Sequence, residues 1–209
     1  MRFVWALLAA VPALAQPRLV YSKSFPGSVP PWVQITLERD GKAVYKESPD
    51  DEQPLKFEMS KEETSQIYGL AEKLEYFKNP LESGLKVANM GMKTFRWEDG
   101  AKSQEQKFNY SQDETARALQ DWFEKMTESE QLFIAVERAV RYDKLGANKA
   151  LLQLQAAMER GRLVGAAQFL PMLDRVIKNE SFLHMARERA GVLADSIRNP
   201  KPKEQKTAQ

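Results

Sequence analysis

Twice along the chain, an amphipathic strand, an Asp-Gly turn, a second strand and a Ser-headed helix follow one another in the same order. This recurrence constrains the fold more than any other feature. In the first unit Trp32 to Arg39 alternates, with Val33, Ile35 and Leu37 against Gln34, Thr36 and Glu38, which is the period of a half-buried strand. Asp40-Gly41 predicts a two-residue type I′ turn, since both central positions need positive φ, and Lys42 to Glu47 reads as the return strand. An acidic, Pro-containing loop (Ser48 to Pro54) and a short strand (Leu55 to Met59) lead into a helix. Ser60 and Glu63 form a capping box, each satisfying an N–H left free at the helix start. Ile67, Leu70, Ala71, Leu74 and Phe77 make its apolar stripe, and Asn79-Pro80 ends it.

The second unit runs from a strand at Met92 to Glu98 through Asp99-Gly100 to a strand at Gln104 to Tyr110. Ser111 and Glu114 read as a second capping box, with Ala116, Leu119, Trp122, Phe123 and Met126 facing inward. Phe57 to Thr64 and Phe108 to Thr115 share their aromatic, Ser, acidic and Thr positions. The Gly-to-Phe spacing is 16 residues in the first unit and 8 in the second, so the acidic loop is an insertion. Duplication and convergence explain the match equally, because strand-to-helix junctions favour S-x-x-E. Either way, two ββα-like units predict an α+β fold: one antiparallel sheet with both helices on one face. Leu19 to Phe25 adds a β-prone segment, and Pro26 to Pro31 cannot be regular structure. Residues 16–126 form this expected domain.

From Thr127 the pattern is all-helical, giving a 127–198 segment of about four helices. Thr127 with Glu130 reads as a third capping box, and Leu132 to Val136 is a run of five apolar residues too broad for a helix with one buried side. Asn148 reads as the cap of the next helix, which stops at Gly161. Arg162 to Lys178 reads as helical with a break at Pro171, and Phe182 to Arg198 as the last helix. Residues 199–209 read as a disordered tail. The two segments differ in charge, with 16 basic and 19 acidic residues in 16–126 but 14 and 10 in 127–209. Opposite charge and the Leu132 to Val136 run favour docking of the helical segment on the sheet domain, with an acidic external partner for its basic residues as the alternative. Arg138, Arg141, Lys144, Arg187 and Arg189 carry part of the basic excess.

Residues 1–15 have the form of an export leader: Arg2, an apolar stretch from Phe3 to Leu14, and the small-x-small box Ala13-Leu14-Ala15. The apolar run is shorter than the about 20 residues that span a bilayer, and no later stretch approaches that length. A secreted or periplasmic product cleaved after Ala15 is expected, with no transmembrane segment in the mature chain.

The composition excludes several chemistries. With no Cys and one His, disulfides, thiolate nucleophiles, Cys-ligated zinc, iron–sulfur clusters and multi-histidine metal sites are out of reach. A net charge of +2 gives no bulk attraction to nucleic acid. His184 falls opposite the apolar stripe of the last helix beside Glu188 at i+4, a surface pairing. Asp50-Asp51-Glu52 lacks the spaced oxygens and Gly of a calcium loop. Glu62/Glu63 and Asp113/Glu114 are explained by first-turn helix positions. Trp32, Phe95, Trp97, Tyr110, Trp122 and Phe123 read as core rather than a ligand box. No catalytic, cofactor-binding or metal-ligating residue is singled out.

Residues 32–126, with Gly41, Tyr45 and Tyr76-Phe77 as landmarks, resemble small domains of unknown function in secreted bacterial proteins. The resemblance implies a fold and no activity. Those domains often carry cysteines near the first strand, where this chain has Pro26-Gly27-Ser28. Residues 170–197, with Leu173, Val176, Arg187 and Leu193, resemble one HEAT-type helical hairpin. The expected function is a non-enzymatic protein-interaction or scaffold module whose partner is another extracytoplasmic protein. The alternatives are an inhibitor of a secreted enzyme, presenting Pro26 to Pro31 or Leu81 to Gly91, and a carboxylate-based hydrolase.

Overall fold

Alternating apolar residues drive one face of every strand inward. β1 (Arg18–Ser24), β2 (Trp32–Glu38), β3 (Lys42–Lys46), β4 (Leu55–Glu58), β5 (Met92–Asp99) and β6 (Lys102–Phe108) form one antiparallel sheet in the order β4-β3-β2-β1-β5-β6. This computed structural model describes residues 16–200, so the expected leader at 1–15 and the tail beyond Pro200 lie outside the described residues. β1 separates the two expected units and pairs with both in matching register: Tyr21 faces Ile35 and Phe95, and Ser24 faces Trp32 and Met92. The first unit contributes three strands and the second two.

Two helices cover one face of the sheet, α1 (Lys61–Lys73) and α2 (Glu114–Tyr142). Leu19, Tyr21, Ile35 and Leu37 of the sheet pack there with Ile67, Ala71, Leu119 and Phe123 of the helices. The fold is α+β, with the strands in the N-terminal part of the chain and the remaining helices in the C-terminal part. The first turn differs from expectation. Arg39, Asp40 and Gly41 form a three-residue loop in which Gly41 alone has positive φ (97°), the geometry of a loop closed by a left-handed residue. In the second hairpin Asp99 stays in the strand and Gly100 (φ 58°) leads a Gly100-Ala101 turn, as type II′ requires.

The Ser60/Glu63 capping box forms as the sequence predicts. The helix stops at Lys73, however, before Asn79-Pro80. Glu75, Tyr76 and Phe77 turn into the left-handed region (φ 48°, 51° and 70°), which non-glycine residues rarely occupy. Packing overrides local preference here: Tyr76 stacks on Trp97 at 4.8 Å and Phe77 on Phe95 at 5.2 Å. With its amide turned so that the nitrogen faces them, Gln104 donates to the Glu75 and Tyr76 carbonyls.

Two cap expectations on α2 are corrected. Asp113 caps it, its Oδ1 accepting from Thr115 and Ala116 N–H, while Ser111 is buried two residues earlier and accepts from Asp113 N–H. Thr127 starts no helix. Its hydroxyl donates back to Phe123 O, and α2 continues through 29 residues without Gly or Pro. One helix therefore crosses the boundary drawn at 126/127. Its Met126 belongs to the first core and its Val136 to a second, and the Leu132 to Val136 run lies between the two, as its breadth predicts.

The second core is built by α2, α3 (Ala147–Glu159), α4 (Leu170–Ile177) and α5 (His184–Arg198). Gly146, not Asn148, precedes α3; Asn148 accepts from Arg189 instead. Residues 162–165 are not helical, and α4 starts with Pro171 in its first turn, where a missing N–H costs nothing. Arg162 holds this connection to α2. Its Nε and Nη2 donate to Glu128 at 2.9 and 2.7 Å and its Nη1 donates to Asp121. Arg189 bonds within the helical segment and Arg141 pairs with Glu137 on its own helix, so Arg162 rather than those two makes this ion-paired link.

Candidate functional site

Three parts of the chain meet at the end of the sheet where β1 finishes. They are the Phe25–Pro31 loop, the segment leading into β5, and the middle of α2. The loop is closed by its own hydrogen bonds: Phe25 N–H donates to Pro31 O (2.8 Å), and the Ser28 hydroxyl donates to Phe25 O and Pro30 O (2.7 Å each). Val29 at its tip is 93% exposed. The other segment is held by Asn109, whose side chain accepts from Met90 N–H and donates to Ala88 O, and by Glu82, which accepts from Asn109 N–H. Gly91 joins the two. It sits at φ 88° against Phe25, and a Cβ there would lie 2.8 Å from the Phe25 Cβ. The paired segments leave Leu85 and Met92 about half exposed.

Beneath the loop is a cavity of about 280 Å³ bounded by Tyr21, Lys23, Val29, Val33, Glu124 and Glu128. The β1–β5 register sets Lys23 directly opposite Lys93 on the covered face, an arrangement of like charges that costs stability. Lys93 is buried, and its ammonium donates to Met90, Gly91 and Asn109 carbonyls at 3.2, 3.0 and 2.7 Å. Burial first, and the Lys23 charge second, hold its pKa below the usual lysine range. Lys23 reaches only Glu124 Oε1, at 3.6 Å, beyond hydrogen-bond distance. The Tyr21 ring stacks on Phe123 at 4.8 Å, and its hydroxyl finds no partner among the described residues. Burial, then the Glu124 charge, push that phenol well above its ordinary pKa, so it stays protonated.

A groove of about 650 Å³ continues past Val29 and Pro30 between α2 and α3, lined by Leu132, Ala135, Ala156 and Arg160. A second cleft of about 660 Å³ lies between Trp122, Met158, Leu163 and Ile197. Glu130 on α2 is fully buried; Oε1 accepts from Gln168 at 2.7 Å, and Oε2 has no partner among the described residues. Burial pushes its carboxyl up to about 7, against the lowering effect of Gln168.

The residues weighed in the sequence scatter. His184 is exposed and 3.2 Å from Glu188. Asp51 accepts from Gln53 N–H within its own exposed turn. Phe95 and Phe123 are buried, and Trp97 and Trp122 pack partly buried against the core. Glu63 and Asp113 are helix caps. The two loops named as possible binding segments are brought side by side. Tyr21, Lys23, Lys93 and Glu124 were missed. Their one legible sign is lysine at the inward-facing parity of two strands, Leu19-Tyr21-Lys23 and Lys93-Phe95.

Among the described residues no group of three or more carboxylates or imidazoles is gathered as a metal site, and no helix is long and apolar enough to cross a membrane. Comparison with protein families, curated proteins and solved structures finds no match to the chain.

Proposed function

We propose that the protein is an exported, soluble module that binds another extracytoplasmic protein. Its contact surface is the sheet end formed by Phe25–Pro31 and Leu81–Gly91. The observation that carries this reading is the pairing of those two segments through Gly91 and Phe25, with Val29, Leu85 and Met92 left exposed. Exposed apolar side chains on hydrogen-bonded backbone are the usual anchors of a protein interface. The leader pattern at residues 1–15 supports export. The test is quantitative capture from the extracytoplasmic fraction by the mature chain and by a Val29→Asp/Leu85→Asp variant. A partner held by the first and lost by the second supports the assignment. Equal capture by both sinks it.

The closed loop favours one specific version, inhibition of a secreted enzyme. Ser28 clamps the backbone on either side of a side chain that is almost wholly exposed, and such fixed protrusions bind with little ordering cost. Dose-dependent loss of hydrolase activity with the mature chain, absent with Val29→Asp, is the expected result.

A further inference from the structure

We propose that Gln16, the first residue of the exported chain, is a modification site: its α-amine closes on its own carboxamide to give a pyroglutamyl terminus. This inference rests on the export reading, with cleavage after Ala15, and not on the identity of any partner.

The chemistry needs a free α-amine and a carboxamide that can fold back onto it, and cleavage after Ala15 supplies both on one residue. An α-amine has a pKa of about 7.7–8.0, so near neutral pH part of it is the unprotonated nucleophile. Its lone pair attacks Cδ of Gln16, the new N–Cδ bond closes a lactam ring, and the Cδ–Nε2 bond breaks. A proton of the amine passes to the departing nitrogen, which leaves as ammonia. No oxidant, reductant or other reactant is consumed.

Gln16 is placed to react in this way. It is exposed and lies outside any strand or helix, so only its own side-chain torsions have to turn. The fold begins at the next residue. The buried Tyr68 hydroxyl donates to Pro17 O at 2.9 Å, and Arg18 stands opposite Glu38 of β2 on one side and Glu98 of β5 on the other. These contacts oppose the competing reaction of an amine that precedes proline. Attack on the Pro17 carbonyl carbon would expel Gln16 and Pro17 as a cyclic dipeptide and leave Arg18 as the new terminus. That attack pyramidalises a carbon whose oxygen Tyr68 holds, at the entry to a strand paired on both edges. The exposed Gln16 carboxamide is the freer electrophile.

The position gives the ring a role. Both hairpins pair on β1, and its Leu19 and Tyr21 are fully buried in the core between sheet and helices. Trimming only a few residues from this end reaches that core. A lactam in place of the α-amine removes the group that aminopeptidases require.

The test is mass spectrometry of the protein purified from the extracytoplasmic fraction of its native host, both intact and as its N-terminal peptide, beside a Gln16→Glu variant expressed there. The expected intact mass is that of residues 16–209 less one ammonia. Fragmentation of the N-terminal peptide should confine the loss to Gln16, and pyroglutamyl peptidase should remove that residue. Gln16→Glu should start at the same position and keep its full mass, because a carboxylate is a far poorer electrophile than a carboxamide. An open Gln16 at the terminus overturns the proposal and leaves the export reading standing. A chain beginning at Arg18, with the cyclic dipeptide lost, overturns it too, as does an ammonia loss that persists in Gln16→Glu. A terminus anywhere else, retention of residues 1–15 included, sinks the cleavage reading and the proposal with it.

Discussion

Glu130→Gln should make the protein more stable at pH 8 than at pH 5 relative to wild type. Glu130 is sealed between α2 and the Gly165–Leu170 connection, with one oxygen bonded to Gln168 and the other unpaired among the described residues. Its carboxyl, pushed by burial to about 7 in the folded state, ionises near 4.5 when freely solvated. The folded state therefore holds a proton that the unfolded state releases between these values. Stability from this group is greatest below the unfolded pKa and is lost as pH rises to the folded one. At 1.36 kcal/mol per pKa unit, the full loss is about 3 kcal/mol, most of which falls between pH 5 and 8. Glutamine keeps the acceptor for Gln168 and carries no charge at either pH. Urea titrations of both proteins at pH 5 and pH 8 isolate the effect, because every other titrating group cancels in the difference. A wild-type-to-variant gap that is the same at the two pH values would refute the reasoning.

Other outcomes follow from the caps, the first turn and the clamp. Ser60→Ala and Asp113→Ala should each lower the urea-derived stability by about 1 kcal/mol, and Ser111→Ala by less than Asp113→Ala, since Ser111 caps nothing. Gly41→Ala should cost about 1–3 kcal/mol in the same titration, because its φ is 97° and the new Cβ would meet Met59 O at 2.7 Å. Arg162→Ala should cost about 1–3 kcal/mol through its lost bonds to Glu128 and Asp121, and hydrogen exchange should speed up at Val164, whose N–H donates to buried Ser129.

Local signals were readable where one answer was available. β2 alternates without interruption, and Ser60 with Glu63 is the sole cap at its junction, so both appear where the residues place them. At α2 two caps compete two residues apart. Burial of Ser111 decides for Asp113, and burial depends on the rest of the fold. Thr127-x-x-Glu130 fits a helix start and a helix middle equally well, and no Gly or Pro marks a break. The left-handed turn at Glu75–Phe77 follows from where Trp97 and Phe95 lie, two residues apart on β5. The cavity was illegible for a topological reason. Lys23 and Lys93 are distant in sequence and become neighbours only because β1 inserts between the two hairpins. Strand parity alone cannot pair them.

At about 1.5 Å per residue, the 29 residues of α2 form a rod about 43 Å long that supplies side chains to both cores. Among the described residues, the boundary between the two cores therefore falls inside one helix rather than in a linker. A cut at any point in Glu114–Tyr142 leaves one layer without half of its spine. Fragments able to reassemble would have to duplicate that helix rather than share it out, one spanning 16–142 and the other 114–200.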